Sequence, residues 1–230
     1  MQEKADDRDS AIASVSRRSL IGFGVATAAT LMVPSSLPAM SQRVKPRLRA
    51  TLGSAKITAP AGVRPELFAA AMIALDQHGA AIKRHDRIAI ADFSLASSKS
   101  RLHIVNLSDG RVQNLFVAHG SGSDPDHTGW LKRFSNAFDS NASSRGAFAT
   151  SDYYVGKHGA SQRLVGLDPT NSNAFDRAIV IHGAWYANAD MIATHGKLGR
   201  SQGCFAVGEK DLAPLFDHLG KGRLLFAAKA

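Results

Sequence analysis

Cys204 and His182 are the residues of this chain whose types and setting could do covalent chemistry. His182 closes an apolar, β-branched run, Ile179-Val180-Ile181-His182-Gly183, and Cys204, the chain's one cysteine, sits behind a glycine in Gly199-Arg200-Ser201-Gln202-Gly203-Cys204. A free thiol with a pKa of about 8.5 is mostly protonated at neutral pH and is a weak nucleophile. A histidine within hydrogen-bond reach either takes that proton or stands as imidazolium beside a thiolate. Gly203 allows the sharp turn that would aim the Cys204 amide at a developing oxyanion. Ser201 could donate to the same region or brace the loop, and the Gly183 carbonyl could hold the other ring nitrogen of His182. A cysteine before Phe205-Ala206-Val207 would by itself read as a small buried hydrophobe, and a histidine after a strand as structural. Together they read as a nucleophile and its base.

Such a pair needs two neighbouring element ends to present it. Leu67, Phe68, Ala71, Met72 and Leu75 recur at helical spacing between Pro65 and Gln77, with Gly79 past the end, so one amphipathic helix is expected there. From Arg87 the period changes to two, through Ile88, Ile90 and Phe93, and again over 101–107. Leu107-Ser108-Asp109-Gly110-Arg111 is a hairpin turn signal leading to a strand that runs to Ala118. His119-Gly120-Ser121-Gly122 follows, a glycine-rich loop at the same kind of strand end that carries His182, which marks His119 as a further candidate. Residues 123–145 read as a long loop. Short strands are expected over 146–150, 162–167, 178–181 and 223–228, with a flexible basic segment Gly156-Lys157-His158-Gly159 and a last helical face on Leu212, Leu215, Phe216 and Leu219. Many short strands and few helices predict a mostly β, antiparallel sandwich or barrel-like fold with a few short peripheral helices.

The first residues read as an address. Ser16-Arg17-Arg18-Ser19-Leu20-Ile21 precedes an Ala/Gly/Thr-rich apolar run that stops at Pro34, and the whole resembles a twin-arginine export signal ending near Ser41. The run is short of the ~20 residues of a spanning helix, so no membrane span is expected after cleavage. The chain thus divides into a signal peptide (1–41), a linker (42–61) and one catalytic domain (62–230), exported to the periplasm or cell envelope. With one cysteine there is no intramolecular disulfide.

The net charge is +9 and the pI about 10.0. That balance favours an anionic partner such as an acidic polymer, but no basic cluster with interleaved aromatics and no nucleic-acid module is present, so nucleic acid is not expected. His119, His158, His182 and His195 raise the alternative of a metal hydrolase; no His-Glu-x-x-His occurs and their spacing is not that of a ligand set, so neither metal nor cofactor is expected.

His182-Gly183 followed by Ser201-Gln202-Gly203-Cys204 resembles the signature of the L,D-transpeptidase (YkuD-like) catalytic domain. In the same order, Val117-Ala118-His119-Gly120, Phe134-Ser135-Asn136, Ser143-Ser144-x-Gly146, Tyr154-x-Gly156-Lys157-His158-Gly159 and Arg177-Ala178-Ile179-Val180-Ile181-His182 resemble its murein branch. The resemblance implies a mostly β monomer acting on peptidoglycan stem peptides. Cys204 would form a thioester at an L–D peptide bond, His182 would be the base, Gly183 its orienter, and the Gly203 and Cys204 amides the oxyanion donors. His119, Ser144, Lys157, His158 and Gln202 would contact substrate. Transfer to an amine would make a crosslink; transfer to water would make an L,D-carboxypeptidase. A non-catalytic wall-binding module is the third alternative. Gln202 stands where the better-known branch has histidine, and Phe205-Ala206 where it has a polar tail.

Overall fold

A computed structural model describes residues 58–230. The expected signal segment and nearly all of the expected linker lie outside the described residues. Helix α1 (Pro65–Gln77) is followed by strands β1 (Arg87–Asp92), β2 (Leu102–Asn106), β3 (Val112–Leu115), β4 (Gly146–Gly156), β5 (Gly159–Gly166) and β6 (Val180–Gly183). Helix α2 (Ala189–His195), strand β7 (Phe205–Val207), helix α3 (Leu212–Leu219) and strand β8 (Leu224–Ala228) complete it. Pro65 occupies the first turn of α1, where its missing N–H is of no consequence, and Leu67, Phe68, Ala71 and Leu75 form the buried face.

The strands form one sheet in the order β3-β2-β1-β8-β4-β5-β6-β7. Just past β3, Ala118 bridges Ala206 of β7, joining the two ends of the sheet in a barrel-like closure. The mostly β architecture is as expected. Two of its pairings, β1 with β8 and β6 with β7, are parallel, not antiparallel. β4 and β5 run longer than their apolar patterns, as one hairpin whose tip is Lys157-His158.

β1 alternates, but both its faces are covered. Ala89, Ala91 and Phe93 enter one core with Phe148, Phe205 and Leu225, while Ile88 and Ile90 enter a second under α1 with Leu67, Phe68 and Leu224. Two-sided burial is what a central strand of a closed sheet requires. In the first core the Phe205 ring stacks on Phe93 (6.1 Å between centroids) and meets Phe148 edge-on (5.5 Å). A fully buried phenylalanine contributes roughly 1.5–3 kcal/mol, so Phe205 anchors the strand that begins directly after Cys204.

Candidate active site

β6 and β7 are parallel neighbours, with Ile181 opposite Phe205 and His182 opposite Ala206. Cys204, the residue before β7, therefore lies at the start of the strand next to that of His182, and both line one cleft of about 420 Å³. Its walls also carry Tyr154, Lys157, His158, Arg177, Tyr186 and Arg200. No aspartate or glutamate lines it.

His182 is buried, and its Nδ1 lies 3.0 Å from the Gly183 carbonyl. A carbonyl only accepts, so Nδ1 carries the proton and the neutral ring keeps a lone pair on Nε2. Burial lowers the pKa of His182, the neighbouring His158 and Lys157 lower it further, and the Gly183 bond opposes them. The His158 ring stacks on that of His182 with centroids 4.5 Å apart. Burial raises the Cys204 thiol, against the Val180 N–H and the charges of Lys157 and Arg177, which lower it. The resting pair is thus neutral thiol and neutral imidazole. Cys204 Sγ faces the Ala178 carbonyl at 3.5 Å, and no hydrogen bond joins it to His182 among the described residues. Bonds of this kind often close only with substrate in place.

Ser201 braces the turn. Its hydroxyl donates to the Cys204 carbonyl (2.7 Å) and accepts from the Gly203 N–H (3.1 Å). The Gly203 amide, an expected oxyanion donor, is therefore engaged by Ser201; the Cys204 N–H has no partner among the described residues. Gly203 has φ +110°, and a Cβ there would come within 2.7 Å of the Ala142 carbonyl, so the turn admits only glycine.

Of the expected substrate contacts, Lys157, His158 and Gln202 are exposed and line the cleft. His119 and Ser144 do not. Ser144 is buried, with its hydroxyl donating to the Ser135 carbonyl and accepting from Arg177 (2.7 Å). His119 is drawn inward by Arg101, whose guanidinium donates to Nδ1 at 2.7 Å, leaving Nε2–H aimed at Asp124 from 3.4 Å, too poorly aligned for a hydrogen bond. What His119 contributes to the cleft is its backbone: the Ser201 N–H donates to the His119 carbonyl. His119 and His195 do not join His158 and His182 in the cleft. Among the described residues no group of three His, Cys, Asp or Glu side chains could hold a metal.

Burial and the adjacent Arg101 charge push His119 down to about 4, against the opposing pull of Asp124. The unfolded chain takes up a proton near 6.5 and the folded one near 4, so this stability is complete above the first value and lost as pH falls through the window. Up to about 3 kcal/mol is at stake, and buried His182 acts in the same direction. Urea melts at pH 7, 5.5 and 4 are expected to show a steep fall that His119→Gln makes shallower.

Arg177 was part of a sequence motif but carried no assigned role. Its four terminal N–H groups reach the Ser135 and Ala142 carbonyls and the Ser140 and Ser144 hydroxyls, all neutral acceptors. Its charge is left uncancelled beside Cys204. Arg200, too, is held by carbonyls only, those of Asp124 and Pro125.

The family model for the L,D-transpeptidase catalytic domain matches residues 60–228, most of the chain. The chain belongs to that family. L,D-transpeptidases act on peptidoglycan stem peptides. Among solved structures, the chain is similar to an L,D-transpeptidase from Mycobacterium smegmatis (13% identity, 62% of this chain and 58% of that chain covered, TM-score 0.39). It is also similar to an L,D-transpeptidase from Xylanimonas cellulosilytica (18%, 68% and 68%, 0.37) and to the helical cell shape determining protein Pgp2 from Campylobacter jejuni (12%, 73% and 57%, 0.41). The chain spans less than two thirds of the length of the first solved structures it matches. No curated protein matches.

Proposed function

We propose that this L,D-transpeptidase-family protein is a cysteine acyltransferase that forms a thioester on Cys204 and passes the acyl group of a stem peptide to an amine. The observation that carries this reading is His182, held through Nδ1 by the Gly183 carbonyl so that Nε2 can serve as the base, in the same cleft as the chain's one thiol. His182 takes the thiol proton as Sγ attacks the carbonyl of the L–D bond. The tetrahedral adduct collapses, and the terminal D-amino acid leaves with that proton on its amine. An acceptor amine then attacks the thioester, losing a proton to His182. Lys157, Arg177 and Arg200, unopposed by any lining carboxylate, favour a substrate rich in free carboxylates.

Incubation of the protein with purified tetrapeptide stems, read by mass spectrometry, tests the reaction class. A crosslinked dimer plus free terminal residue is expected. Free terminal residue alone would mean that water is the acceptor, and sacculus binding with no product would leave a wall-binding module.

We propose export through the twin-arginine motif, on the strength of Arg17-Arg18 and the apolar run after them. An Arg17→Lys, Arg18→Lys protein that still reaches the periplasm would refute it. Among the described residues no helix is long and apolar enough to cross a membrane.

A further inference from the structure

We propose that the Tyr186 hydroxyl is an oxyanion donor of this site, in the role that the Gly203 amide does not fill. The inference rests on the acyl-transfer reading above. A tetrahedral adduct concentrates charge on one oxygen, and sites that stabilise it aim fixed donors at that oxygen. Here the Gly203 N–H is engaged by Ser201, whose own proton is engaged by the Cys204 carbonyl. The terminal N–H groups of Arg177 are all taken by neutral acceptors, so Arg177 supplies charge without a free terminal donor. From the backbone of this turn the Gln202 and Cys204 N–H groups have no acceptor among the described residues.

Tyr186 meets the remaining requirement. It lines the cleft with Cys204 and His182, is half-buried, and its hydroxyl has no hydrogen-bond partner among the described residues. The ring is fixed in place. It sits on the short 3₁₀ turn Trp185–Ala187 just after β6, its carbonyl accepts the Gly199 N–H at 2.7 Å, and Trp185 packs on it edge-on at 5.8 Å. Gly199 makes the slot: a Cβ there would come within 2.6 Å of the Tyr186 Cβ. By contrast, Lys157 and Gln202 are exposed on the rim and are not held in one direction. Burial and the neighbouring Cys204 push the phenol up to about 12, so it keeps its proton wherever His182 is a base.

In the step itself, Sγ bonds to the carbonyl carbon while the π pair moves onto oxygen and the thiol proton moves to His182. Tyr186 donates a hydrogen bond to that oxygen and keeps its own proton. Collapse restores the carbonyl and expels the amine, which leaves with the proton from His182.

Tyr186→Phe in the full chain removes the hydroxyl and keeps the ring in its slot. Two reactions of Cys204 separate the roles: acetylation by p-nitrophenyl acetate passes through an oxyanion, and alkylation by iodoacetamide does not. Acetylation is expected to slow on the order of 10²-fold, with alkylation within about twofold of wild type and an unchanged melting temperature. With stem peptide the loss is expected in kcat and not in KM. Acetylation at the wild-type rate would overturn the proposal, as would equal slowing of both reactions, which would mean a packing role. The ester requires no stem peptide, so failure of the wild type on stems would count against the proposed function and not against this donor.

Discussion

Replacing His182 with alanine is expected to slow the proposed acylation of Cys204 on the order of 10²–10⁴-fold, the loss that follows removal of a positioned general base. The size of the effect comes from the neutral resting state. Burial raises the Cys204 thiol and lowers the His182 imidazole, so the thiol has no standing ion-pair partner and must be deprotonated as it attacks. The same state fixes the sign of the pH dependence. Wild-type alkylation by iodoacetamide should climb with pH through and beyond the ordinary thiol range, with no plateau in the acid region where an imidazolium–thiolate pair would give one. Above the raised thiol range the free thiolate needs no base, and the His182→Ala protein should alkylate at nearly the wild-type rate. An acid-region plateau in the wild type would mean that the pair rests ionised.

The second large effect is on stability. Arg101 has no exposed surface, and its guanidinium donates to the Leu95 carbonyl (2.9 Å), the Val117 carbonyl (2.9 and 3.0 Å) and His119 Nδ1 (2.7 Å), while lying over the Phe93 ring. Arg101→Met leaves the Val117 and Leu95 carbonyls and a buried imidazole without these donors and removes a cation near Asp124, while Asp92 keeps Arg64 at 3.1 Å. Breaking such a network costs about 3–5 kcal/mol. Urea unfolding measures it directly, and a loss below about 1 kcal/mol would mean that the network relaxes without strain. Because the His119 backbone receives the Ser201 N–H, the variant is also expected to loosen the Cys204 turn and lower turnover in whatever fraction stays folded.

What could be read from the sequence, and what could not, divides on physical lines. α1 was legible because Pro65 and a helical apolar face both declare it, and its observed bounds are Pro65–Gln77. β1 and β2 were legible from alternation, although alternation could not show that β1 feeds two cores. β7 was hidden: three consecutive buried residues, Phe205–Val207, have no period. Its parallel pairing with β6 is nonetheless what sets Cys204 beside the His182 strand. The Gly183 carbonyl on Nδ1 was anticipated from adjacency alone. His119 was misplaced because a glycine-rich strand end resembles the His182 context, and only the fold reveals Arg101 pulling the ring inward. Arg101 itself carried no signal, since an arginine at a strand start ordinarily faces water. Tyr186 was missed for a related reason: the Gly199 slot that orients it is made by residues distant in sequence. Phe205, a departure from the better-known branch, proves to be core and does not line the cleft.

The central claim is a covalent bond to Cys204, and rapid-quench mass spectrometry tests it most directly. The protein is mixed with tetrapeptide stem, quenched in acid and digested. The account predicts a tripeptide acyl group on the peptide that contains Cys204, formed and discharged at the rate of turnover, and neither adduct nor product from Cys204→Ala. Product formation by Cys204→Ala, or turnover by the wild type with the acyl group on another residue, would contradict it.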